Sequence, residues 1–98
     1  MNDYTHHIGV LRLDLYIPSA QSLKDKRMVL RSFKDKVRTK YNVSIAQMDT
    51  DDKWQTATFA VAMIGNDNRY VNGCLQDVAN FIESCHGFEI SDHEIMFL

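Results

Sequence analysis

The side chains best able to do chemistry in this 98-residue chain are cations, and they are crowded. Eight of its eleven Lys and Arg fall in SLKDKRMVLRSFKDKVRTK, residues 22–40, against two acids there, Asp25 and Asp35. The segment carries about +6, so the rest of the chain carries about −8 to reach the formal net charge of −2. Lys24, Lys26, Arg27, Arg31, Lys34 and Arg38 form the candidate set for holding a nucleic acid or another anion. A line of Lys and Arg over about four helical turns can lie against phosphates, releasing counterions and giving salt-dependent, largely sequence-blind affinity. A face built only for solubility usually interleaves Glu at i,i+4, whereas here the cations have only Asp35 beside them. The overall negative charge excludes a generic nucleic-acid sponge, so any such contact has to be local and oriented.

Other chemistries find little support. His6 and His7 are adjacent and on a strand would point to opposite faces, while His86 and His93 are remote from them and lack ligand spacing, so no metal site is expected. Asp49, Asp51 and Asp52 read as an acidic turn. Cys74 and Cys85 are eleven positions apart on one expected helix, about 16 Å between backbones and outside disulfide reach. They read as small buried hydrophobes. Gly9, Gly65, Gly73 and Gly87 stand alone and make no phosphate-binding loop, and no cofactor is implied. No reaction is specified, and the chain reads as non-enzymatic.

The elements that must position the cations are well signalled. Residues 7–17 alternate, with Gly9, Leu11, Leu13, Leu15 and Ile17 on one side and Val10, Arg12, Asp14 and Tyr16 on the other, which predicts a strand with one apolar face. Ser22 is an N-cap with Asp25 three residues on, and Leu23, Leu30, Phe33, Val37 and Tyr41 share a sector of about 80° on the wheel, facing a core. Lys24, Arg27, Arg31, Lys34 and Arg38 fill a neighbouring sector of about 80°. Lys26 falls on the apolar side, where it either snorkels past the sheet edge or joins Lys24 and Arg27 around an anion at the helix start. Strands follow at residues 43–48 and 54–64, joined by a short turn as a hairpin. A second helix starts at Asn66 or Asp67 and runs to about Cys85 with Val71, Leu75, Val78 and Ile82 inward. Residues 88–97 form a last strand whose irregular alternation suggests a bulge.

The order β-α-β-β-α-β predicts an α+β, ferredoxin-like sandwich over residues 1–98, a single domain with two helices on one face of a four-stranded antiparallel sheet. The uncovered face would carry Tyr16, Trp54, Thr56 and Thr58 among small and apolar residues. That makes it a candidate interface for self-association, as a homodimer, or for a protein partner. It lacks the closely spaced aromatics of a sheet that stacks RNA bases.

Three stretches read together, IPSAQSLKDKR, YNVSIAQMD and DKWQTATFAVAMIGND, and closely resemble the YlxP-like family of small bacterial proteins, a domain of unknown function. The family pattern is L-P-x-x-x-S-L-K-x-K-R, F-N-V-S-(V/I)-A-E, W-Q and an S-N-D-like helix start, and the likeness covers nearly the whole chain. Tyr41 stands where Phe is common, Gln47 where Glu is common and Gly65 where Ser is common. The resemblance implies a ferredoxin-like fold and no established activity, cofactor or catalytic residue. It also implies genes set among those for translation and ribosome maturation, which points toward RNA or a ribosomal particle as partner. Acylphosphatases share this element order and bind an anion at the first helix, but their G-x-V-Q-G-V-x-F-R loop is absent from PSAQSLKDKR, so a small hydrolase is the least supported reading. No apolar run reaches the roughly 20 residues of a membrane span and the N-terminus is not signal-like, so no membrane contact and a cytoplasmic location are expected.

Overall fold

A computed structural model describes residues 5–98. The apolar alternation of the first strand builds the centre of the molecule: β1 (His7–Tyr16) lies between β3 (Thr56–Gly65) and β4 (Glu89–Phe97), with β2 (Ser44–Gln47) outside β3. All pairings are antiparallel, in the order β2-β3-β1-β4. Two helices, α1 (Leu23–Lys40) and α2 (Asn68–Glu83), cover one face. The ferredoxin-like βαββαβ sandwich is thus the observed architecture.

Each side of β1 meets a different environment. Leu11, Leu13, Leu15 and Ile17 are fully buried beneath the helices, joined by Ala57, Phe59 and Val61 of β3 and Ile45 of β2. Phe33 of α1 packs edge-on against Phe59, ring centroids 5.0 Å apart, and against Phe88 at 5.2 Å. Such buried aromatic pairs fasten α1 over the sheet, each adding about 0.5–1.5 kcal/mol beyond area burial. From α2, Val71, Leu75, Val78, Ala79 and Ile82 complete the core.

The helix starts form as their sequence asks. Ser22 Oγ accepts from the Asp25 amide at 3.0 Å, while the Asp25 carboxylate reaches back to accept from the Gln21 amide at 3.1 Å. Asp67 caps α2 by accepting from the Arg69 amide. The irregular last strand does carry a register shift: Asp14 faces Asp92 but Leu15 faces Ile90, so Ser91 is the extra residue. Its hydroxyl donates to the Asp14 carbonyl at 3.1 Å.

Several boundaries differ from the sequence expectation, most by one residue and two by more. Between β2 and β3 the chain makes a longer excursion, residues 48–55, and Trp54 lies in it rather than in β3. The cause is Asp49, which is not a solvated turn residue but folds back and accepts from the Thr58 amide at 2.9 Å. Helix α2 ends at Glu83, so Cys85 follows the helix and donates its thiol to the Phe81 carbonyl at 3.3 Å.

Candidate functional site: the basic flank of the first helix

Helix α1 keeps its apolar stripe inward through Leu30, Phe33 and Val37, and this fixes where its cations must stand. Lys24, Arg27, Arg31 and Arg38 are exposed and Lys34 is half-buried. They succeed one another at intervals of three and four residues, so their side chains line one flank of the helix. That flank borders the free edge of the sheet, for Arg38 Nη2 donates to the Ile45 carbonyl of β2 at 3.4 Å. Beside it, Arg27, Leu30, Arg31, Lys34 and Gln47 line one hollow of about 190 Å³. Among the described residues, no carboxylate lies within 4.0 Å of any of these five cations; the ion pairs there involve only Arg12 and Lys26.

Lys26 has to be taken out of the set. Its side chain is 4% exposed and its Nζ donates to Asp49 Oδ2 at 2.8 Å and to the Lys53 carbonyl at 2.8 Å. An ammonium on the apolar side of an amphipathic helix needs a partner, and the folded-back Asp49 supplies it. Burial by itself pushes the Asp49 carboxyl up, but hydrogen bonds from Lys26, the Thr58 amide and Gln47 together hold it below the usual aspartate value. Gln47 Nε2 donates to both Asp49 oxygens at 3.1 Å. Lys26 therefore welds the loop 48–55 to α1, and its burial keeps the ammonium off the outer flank. Its misplaced position on the helical wheel was the available signal; the partner, far away in sequence, was not readable.

A second consequence of that weld is electrostatic. Leu23, Arg27, Gln47, Thr50, Asp51 and Asp52 line a further hollow of about 360 Å³ at the helix start, so carboxylates of the loop face the N-terminal end of the basic flank. The hollow beside Arg31 and Lys34, further along the flank, is lined by no carboxylate.

The open sheet face is not uniformly apolar. At its centre Arg12 is held by Asp14 at 2.6 Å, Asp92 at 3.1 Å and Glu94 at 3.8 Å, and Asp14 also accepts from the Thr58 hydroxyl at 3.0 Å. The hydrogen bond from Arg12 keeps the Asp92 carboxyl below its usual value. Thr58, counted among the interface candidates, thus spends its hydroxyl within the fold. Tyr16 and Thr56 are register partners at one corner, Tyr16 39% and Trp54 51% exposed. Among the described residues, no three His, Cys, Asp or Glu side chains are grouped to hold a metal ion.

The profile of a family described as proteins of unknown function, DUF503, matches residues 8–95. The chain belongs to this family. Within it, the uncharacterized protein YlxP of Bacillus subtilis (strain 168) is 36% identical over 77 residues, which make up 79% of this chain and 84% of that one. The family's S-L-K-x-K-R motif now has a structural meaning in this chain: Ser22 is the cap, Leu23 is half-buried, Lys26 is the buried weld, and Lys24 and Arg27 begin the outer flank. Among solved structures, a de novo designed protein, Foldit4, superposes with a TM-score of 0.52 at 11% identity, covering 96% of this chain and 97% of that one. That likeness concerns the fold alone.

Proposed function

We propose that this protein is a non-enzymatic module that binds RNA, free or within a ribosomal particle, through Lys24, Arg27, Arg31, Lys34 and Arg38. One observation carries the reading: these five cations line a single flank of α1, and none has a carboxylate within 4.0 Å among the described residues, while Arg12 and Lys26 are both paired. Like charges at i,i+3 and i,i+4 repel, and an external polyanion relieves the repulsion. The acidic remainder of the chain confines the contact to this flank. The gene setting implied by the family resemblance points the same way.

The test is fluorescence anisotropy with a structured ribosomal RNA fragment. Five phosphate contacts give a salt slope near −4.5, so affinity is expected to drop about 500-fold between 50 and 200 mM salt. Lys24→Glu/Arg27→Glu/Arg31→Glu should abolish binding while leaving the circular dichroism spectrum intact. An affinity indifferent to both salt and charge reversal rules the reading out.

A further inference from the structure

We infer that the polyanion met by this flank is double-helical. The inference rests on the phosphate-binding reading above and names the form of the nucleic acid. The five cations stand at positions 24, 27, 31, 34 and 38 of an uninterrupted helix, a row within a sector of about 80° that spans about 21 Å of axis. A row whose backbone is fixed by one helix suits a partner whose phosphates are already held in place. An unpaired strand would have to be immobilised to match it.

Among the described residues, the hollows beside the row offer no aromatic side chain to offset that ordering cost. Proteins that hold single strands stack the bases on aromatic side chains, gaining about 1–3 kcal/mol per base. The residues lining the two hollows beside the row are Leu23, Lys26, Arg27, Leu30, Arg31, Lys34, Gln47, Asp49, Thr50, Asp51 and Asp52, and none is aromatic. Among the described residues, the exposed aromatics Tyr16 and Trp54 belong to β1 and the loop 48–55, Tyr70 to α2 and Phe97 to β4, while the half-buried Tyr41 that caps α1 packs its ring against Phe81. A flexible strand that settled into the groove between α1 and β2 would also run its phosphates onto Asp51 and Asp52. A stiff duplex resting on the outer side chains passes over them.

The experiment titrates the full chain against a 20-base-pair RNA duplex, one of its unpaired strands, and a DNA duplex of matching length. The RNA duplex is expected to bind at least ten-fold tighter than the single strand at the same salt. In Lys34→Gln/Arg38→Gln, which shortens the row at its C-terminal end without reversing charge, the duplex salt slope should fall by about 1.8. A single strand bound as tightly as the duplex overturns the double-helical inference while leaving phosphate binding standing, whereas an unchanged slope in the shortened row takes Lys34 and Arg38 out of the contact and overturns the five-cation reading. Absence of binding to all three overturns the parent reading. Equal binding of the DNA duplex supports recognition of a double helix and removes RNA as its required source.

Discussion

Lys26 and Asp49 form the buried ion pair of the described residues, with side chains 4% and 9% exposed. Removing one partner of such a pair leaves a charge without compensation, so Lys26→Ala is expected to cost about 3–5 kcal/mol in urea denaturation. Asp49→Ala should be at least as damaging, since it also strands the Thr58 amide. Replacing both with apolar residues, Lys26→Met/Asp49→Leu, should recover much of the loss, and a double variant as unstable as the sum of the singles would show that the pair is not coupled. The pH dependence follows from the lowered Asp49 carboxyl. Its folded value lies below the ordinary 3.8, so its stabilisation is fully present above that value and is lost as pH falls through the lower folded one. Acid denaturation should therefore be shallower in Asp49→Asn than in the parent chain. Sequence showed the anomaly at position 26 but not its resolution, because the pair closes across 23 residues and depends on where an acidic loop turns back.

The packing of α2 on the sheet sets the next scale. A Cβ at Gly65 would lie 2.7 Å from Val71 Cγ2, and one at Gly9 would lie 2.8 Å from both Val71 Cγ1 and Leu75 Cδ1. Val71 thus sits over two strand glycines, which let the first turn of α2 approach β1 and β3 closely. The serine common in the family at position 65 would not fit here without movement of Val71. Gly65→Ala is expected to destabilise by about 1–3 kcal/mol through overpacking. The same change in a Val71→Ala background should cost clearly less, since the clashing methyl is gone; equal costs in the two backgrounds, measured by chemical denaturation, would place the strain elsewhere. The elements themselves were legible in the sequence. Alternation gave β1, Ser22 gave the start of α1, and Asn66 or Asp67 that of α2, where the structure uses Asp67. The irregularity of residues 88–97 proved to be the bulge at Ser91. The excursion 48–55 was not legible, because acidic residues between strands ordinarily read as a turn.

On the scale of the molecule, charge is segregated. The outer flank of α1 is basic, while the centre of the open sheet face holds Asp14, Asp92 and Glu94 around the single cation Arg12. Two copies stacked through that face would bring two such acidic centres together. Exposed Tyr16 and Trp54 lie at one corner of that face and Ile64 and Met96 toward its other end, with the acidic centre between them. Light scattering is therefore expected to return the monomer mass, unchanged in Trp54→Ala. A dimer broken by Trp54→Ala and indifferent to charge reversal on α1 would move the function to the sheet face and favour a protein-interaction module over an RNA-binding one.

From the sequence alone came the element order, the inward and outward sides of β1 and α1, and the clustering of cations, because periodicity and net charge are local properties of a chain. Only the tertiary structure decided which cations have no carboxylate within 4.0 Å among the described residues. Ion pairing depends on what a distant loop brings within about 4 Å, and that is how Lys26 left the set while Lys24, Arg27, Arg31, Lys34 and Arg38 stayed in it.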